Sequence, residues 1–298
     1  MNFYQELDTI MRQDFGGRGL LASLPPAPLR ETAETLACAE RAVLLTGFPV
    51  RLGKDRFTGE TDGPSGTVNL ASALLRCGCS VVVVTDAVSY PLLKAAMEYR
   101  TPQAGLFVLP ETGTEDFIRS FLKAFRPTHF ISLERPGKAL DGHYHNMRGE
   151  IIDDMITDSA YFLREAEKNG AVTISIGDGG NEMGMGTFRQ EILDHVPCGD
   201  SICTRESAML ALASGVSNWW GWGIASMLSL MTGKNLLPTE QEEAEMLHRV
   251  VCAGGVDGCT KEATETVDHL PLSLHLSILR EVTELTERAM KGSRAVSA

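Results

Sequence analysis

A chain of 298 residues with 43% hydrophobic and 22% charged side chains has ordinary globular proportions and enough length to bury a substantial core. Its net charge of −12 argues against nucleic acid or an anionic membrane surface as a partner, since both are bound through excess Lys and Arg. Seven cysteines without a C-x-x-C pair argue against a zinc finger or a disulfide framework and fit free thiols in a reducing compartment.

The first residues, Met1 to Glu6, lack a basic region followed by an apolar run, so no signal peptide and a cytoplasmic location are expected. Residues 1–40 read as a helical segment, broken at Asp14–Gly19 and at Pro25, Pro26 and Pro28, with a second helix from Leu29 to Glu40. Ala42–Thr46 is a strand. A turn-rich loop, Thr58–Gly66, then carries Glu60 and Asp62 before a helix from Val68 to Arg76. Val81–Val84 is the plainest buried strand, followed by a helix over Pro91–Arg100. Leu106–Leu109 and His129–Leu133 are strands separated by a helix from Thr114 to Phe125.

A polar loop from Glu134 to Gly149 leads to a predicted helix over Ile151–Asn169, in which Asp153 and Asp154 suit the positive end of the dipole. Ala171–Ile176 is a strand that stops at Gly177-Asp178-Gly179-Gly180-Asn181-Glu182-Met183-Gly184-Met185-Gly186. A strand is expected near Ser201–Cys203. The uncharged stretch Ser207–Gly233 reads as a strand over Met209–Ala213, a polar turn and a buried helix from Asn218, with its three tryptophans in the core. Helices follow at Thr239–Cys252 and Ser273–Met290. Apolar strands alternating with helices predict a three-layer αβα fold with a mainly parallel, Rossmann-like sheet, organised as one α/β domain.

In such a sheet the loops after the strands emerge at one edge, where ligands bind. That brings together Glu60 and Asp62, then Glu134, Arg135, Asp141, Asn146 and Arg148, then Asp178, Asn181 and Glu182, then Ser217 and Asn218. The glycine loop bears two carboxylates and an amide with no Lys or Arg before Arg189, which suits a hard cation such as Mn²⁺ or Mg²⁺. A dinucleotide fingerprint fails because Glu182 stands where its third glycine belongs. The loop is also similar to the GDGxND motif of haloacid-dehalogenase phosphatases, but Val84-Thr85-Asp86-Ala87-Val88 lacks the second aspartate of that family's nucleophile motif. Asn218 reads first as a helix cap, and His143 and His145 as an incidental pair.

The glycine loop, Glu60-Thr61-Asp62-Gly63-Pro64, Glu134-Arg135-Pro136-Gly137, Asp141–Gly149 and Ser217-Asn218-Trp219 together resemble the D-glutamate cyclase C-terminal domain family, and Thr46-Gly47-Phe48 and Arg18-Gly19 fit the same pattern. The resemblance implies a lyase that converts D-glutamate to 5-oxo-D-proline and water. For that reaction a divalent ion is expected on Asp178, Glu182, Asn181 and Glu60, with Asp178 catalytic through it, and a remaining acid, Asp62 or Asp141, is expected to move the amine proton. Arg148, Asn146, Arg135, Asn218, Gly179 and Gly180 are then expected at an acidic amino-acid substrate, with Arg148 clamping its α-carboxylate. A metal-dependent phosphatase and a non-catalytic ligand-binding protein are the alternatives, and a homodimer is compatible with the chain.

Overall fold

A computed structural model describes residues 2–297. Helix α1 (Phe3–Met11) opens with a capping box between Asn2 and Gln5, and α2 (Leu29–Ala37) follows the proline cluster. Strand β1 (Arg41–Thr46) leads into a hairpin of β2 (Pro49–Gly53) and β3 (Arg56–Gly59), which the sequence reading missed. Helix α3 (Pro64–Arg76) begins earlier than predicted, with proline in its first turn, where a missing N–H costs nothing. β4 (Ser80–Thr85), α4 (Tyr90–Arg100), β5 (Gly105–Val108), α5 (Thr114–Phe125) and β6 (His129–Leu133) lie close to their expected bounds.

Two expectations are corrected downstream. Only Ala160–Lys168 of the predicted 151–169 helix is α-helical (α6). Residues before it stay largely extended because other groups claim their backbone: Tyr144 O accepts from the Ile152 N–H, and Thr157 O accepts from Arg135. Asp153 and Asp154 therefore sit in a short 3-10 turn and pair with His143 and Arg51. After β7 (Val172–Gly177) and α7 (Arg189–His195), the strand predicted at Ser201–Cys203 is a helical turn, α8 (Gly199–Ile202).

β8 (Leu210–Ala213) and α9 (Trp219–Thr232) account for the uncharged stretch, and Trp219, Trp220 and Trp222 are core residues. α10 (Glu240–Cys252) has its own capping box from Thr239 to Glu242. A small hairpin, β9 (Thr266–Val267) with β10 (Leu270–Pro271), precedes α11 (Leu272–Ser297). No described helix is long and apolar enough to cross a membrane.

The central sheet is wholly parallel, ordered β5-β4-β1-β6-β7-β8. Strand pleating divides its residues between two cores. Ala42, Leu44, Val81 and Val83 face α3, α4 and α9, whereas Val43, Leu45, Val82 and Val84 face α5 and α6. The fold is thus a three-layer αβα, Rossmann-like arrangement. Chain direction across the sheet reverses between β1 and β6. In open parallel sheets that reversal opens a crevice at the carboxyl ends of the strands.

Candidate active site

Glu134 follows the last residue of β6 and has φ +45°, a left-handed conformation that is strained for a residue with a side chain. Its backbone is fixed there by a donation to Ile176 O and an acceptance from the Gly47 N–H. One strand over, β7 runs into the glycine loop. Glu182 closes that loop on itself: its carboxylate accepts from the N–H groups of Asp178 (3.0 Å), Gly179 (2.7 Å) and Gly180 (2.7 Å). Gly177 is required beneath it, since a Cβ there would lie 2.6 Å from the Glu182 carboxyl carbon. Closing the loop leaves Asp178 buried with its Oδ2 unpartnered, and Glu134 likewise keeps a free Oε2.

Asp62 joins them from the loop before α3. Its carboxylate accepts backbone N–H groups from Gly63 (2.9 Å), Asn218 (2.9 Å) and Ser217 (3.1 Å). Asn218 is a cap, as its sequence position suggested, but for a different helix. Its amide oxygen accepts from Gly63 N (3.0 Å) and Gly66 N (2.7 Å) in the first turn of α3, and its NH₂ donates to Thr61 O (3.1 Å). Gly66 allows this approach, because a Cβ would fall 2.6 Å from the Asn218 Cα. The result is that oxygens of Asp62, Glu134 and Asp178 lie within 4.8 Å of one another. Buried, oxygen-only and incompletely partnered, this triad could hold a metal ion.

Two further groups were not foreseen in this role. Arg18, from the glycine-flanked segment after α1, pairs with Asp178 and, at 3.0 Å, with Asp268. Asp268 and His269 are the two turn residues of the β9–β10 hairpin, both at positive φ (55° and 60°). Two-residue hairpin turns demand that conformation, and an Asp in second-last place before Leu270-Pro271 is the one signal the sequence offers for it. Asp257 braces the neighbouring loop by accepting N–H groups from Cys259, Thr260 and His269.

Crowding of acids sets the electrostatics. Burial, then Asp268, pushes the Asp62 carboxyl up to about 8, against three N–H donors and Arg18 that oppose the shift only in part. Burial together with neighbouring carboxylates holds Glu60 and Glu134 well above the carboxylate range, and burial raises Glu182. Burial works against the charge on Arg18, but Asp268, Glu134 and Glu182 outweigh it and hold the guanidinium pKa above its ordinary value.

This cluster opens into a cavity of about 510 Å³, within the range of small-molecule sites. Of the residues expected at the site, Glu60, Asp178, Asn181, Asn146 and Arg148 line it. Asp62, Glu182, Gly179, Gly180 and Asn218 lie in the supporting shell just described. Two expectations are corrected. Arg135 is fully buried and held by Asp86 (2.6 Å), Ser159 Oγ (3.0 Å) and Thr157 O (2.7 Å), so its guanidinium cannot reach a ligand in the cavity. The same pair occupies Asp86, the residue on which the phosphatase alternative depended. Asp141 is half-exposed, pairs with His145 at 2.9 Å, and is absent from the cavity lining.

A profile of the family described as D-glutamate cyclase-like, C-terminal, matches residues 7–283. The chain belongs to that family. Among its relatives is the mitochondrial D-glutamate cyclase of Homo sapiens, 29% identical over 239 residues that make up 76% of this chain. The aligned region is 39% of the human protein, so this D-glutamate cyclase-like domain spans about two fifths of the length of that relative. The matched range spans the whole acid cluster, Glu60, Asp62, Glu134, Asp178, Glu182 and Asp268, together with Arg18.

Proposed function

We propose that this chain is a lyase that closes D-glutamate to 5-oxo-D-proline with loss of water, in the cavity above Asp62, Glu134 and Asp178. The observation that carries the reading is the pair of buried, unpartnered carboxylate oxygens on Glu134 and Asp178 beside an Arg18 guanidinium. Kinship with a D-glutamate cyclase supports the substrate.

Ring closure asks for three things. The substrate's two carboxylates must be tolerated in an acidic pocket, its ammonium must lose two protons, and one γ-carboxyl oxygen must leave with them as water. Asp62, Glu134 and Asp178 would hold a divalent ion, Mn²⁺ or Mg²⁺, which when bound supplies positive charge and Lewis acidity at the γ-carboxylate. Arg148 and Lys261, both on the cavity lining, would take the α-carboxylate. The buried Glu134 has an oxygen without a protein partner, and burial and Asp62 raise its pKa, so it would accept a proton from the amine and return it to the departing oxygen. Glu60, raised in the same way and lining the same cavity, would carry the second proton. Arg18 would hold the Asp178 carboxylate in place.

The test is direct: purified chain, D-glutamate and Mn²⁺ or Mg²⁺, with 5-oxoproline measured by chromatography. Turnover that falls at least a hundredfold in Glu134→Gln and Asp178→Asn is expected. Absence of 5-oxoproline from either enantiomer of glutamate, with either ion, between pH 6 and 9 refutes the proposal.

A further inference from the structure

The cavity is larger and less polar than glutamate requires. Glutamate has ten non-hydrogen atoms, and even at the ~30 Å³ that each water takes in the liquid it would fill roughly 300 Å³, well short of the approximately 510 Å³ present. The lining is also of two kinds. Beside the acid cluster lie Phe48, Val50, Ile152 and Met155, of which Phe48, Ile152 and Met155 pack with Tyr144 as one apolar group. Ile151 lines the cavity as well, with 52% of its surface exposed. Ligand sites expose apolar walls where the ligand has apolar surface to cover. Glutamate, with two methylenes between charged ends, has almost none.

Where an extension of the substrate can sit follows from its chemistry. The α-amine must be free to attack. The α-carboxylate is the group that Arg148 and Lys261 suit. Only the γ-carboxyl remains. We infer that the site accepts γ-amides of glutamate whose amine is apolar, and that ring closure then expels that amine in place of water. In this step the α-nitrogen bonds to the γ-carbonyl carbon and the bond from that carbon to the amide nitrogen breaks. The two protons lost by the α-ammonium leave on the released amine, which departs as its own ammonium ion. No oxidant, reductant or second substrate is needed. An amine leaving group cannot depart unprotonated, and two carboxyl groups that could hand it a proton, Glu60 and Glu134, line the same cavity.

The inference rests on the cyclase reading of the same cavity, and the experiment separates the two. The chain, with Mn²⁺, is given D-glutamate and D-γ-glutamyl-n-butylamide in parallel, and 5-oxoproline and butylamine are measured. Each of four aliphatic carbons is worth about a fourfold gain when fully buried; since the cavity is open at its mouth, kcat/KM for the butylamide should exceed that for D-glutamate at least tenfold. Ile151→Ser, at an exposed position, should cut that ratio severalfold. A butylamide no better than D-glutamate, or a ratio untouched by Ile151→Ser, overturns the inference and leaves the cyclase reading standing. Turnover of the butylamide alone overturns the water-expelling reaction and sustains the inference. If neither compound reacts, both readings fall.

Discussion

Asn218→Ala isolates the cap that holds the Glu60–Asp62 loop against α3. The wild-type side chain makes three buried hydrogen bonds, accepting from Gly63 N and Gly66 N and donating to Thr61 O. Alanine removes all three at a residue only 3% exposed and leaves the Gly66 N–H and the Thr61 carbonyl without a partner, while the Gly63 N–H keeps its bond to Asp62. Each such bond is worth roughly 1 kcal/mol net, more where a buried group is orphaned, so the loss should be about 3 kcal/mol. For a chain of this size a kilocalorie shifts Tm by roughly 2 °C, and calorimetry should record a fall near ~6 °C. Asn218→Asp sharpens the argument. It keeps an accepting oxygen for Gly63 and Gly66 but turns a second oxygen toward the Thr61 carbonyl and adds a charge next to Asp62. It too should be less stable than wild type, and by more at pH 8 than at pH 6. An Asn218→Ala protein melting within 2 °C of wild type would show that the loop is held by something other than this cap.

Arg148→Met removes a cation from an exposed position on the cavity lining. It should raise KM for D-glutamate at least tenfold while leaving Tm within about 2 °C, checked by steady-state kinetics and calorimetry on the same preparation. The acid cluster also predicts a pH dependence of stability. Asp62 titrates near 8 in the folded chain and in the ordinary carboxylate range when unfolded, and Glu60 and Glu134 are raised too. Between those limits the folded state keeps protons that the unfolded state has released, so these groups lower stability as pH rises toward 8. Melting curves from pH 5 to 9 without divalent ions should therefore slope downward, and Asp62→Asn should flatten the slope. Mn²⁺ should raise Tm more at pH 8 than at pH 6, since protons compete for the same oxygens; an equal shift at both pH values counts against the triad as the ion's site.

The layered fold was readable because its cues are local. Val81–Val84 and Leu44–Leu45 are apolar on both faces, as strands covered by helices on both sides must be, and they fall where the sheet has them. The site was readable only in part. Asp62 and Asp178, singled out because they sit beside turn-forming glycines, are two of the three converging carboxylates. Arg135 and Asp141 were assigned to the substrate pocket because they occupy the same polar loop as Arg148. A loop does not say which of its side chains turns inward, and the nearest partners, Asp86 for Arg135 and His145 for Asp141, decided the matter. Arg18 and Asp268 stand 250 residues apart in the chain (268 − 18), and no periodicity links them.

By itself the amino-acid order determined the alternation of strand and helix, the parallel sheet, and which turns carry carboxylates, because period, β-branching and glycine act over a few residues. Tertiary structure alone decided which of those carboxylates meet. Glu134 became the third carboxylate beside Asp62 and Asp178, Asn218 the cap of a helix 152 residues away, and Arg18 the counter-charge of Asp178. Each of these depends on the sheet bringing distant loops to one edge, where burial and repulsion among acids, quantities absent from any single segment, set the protonation and the chemistry of the site.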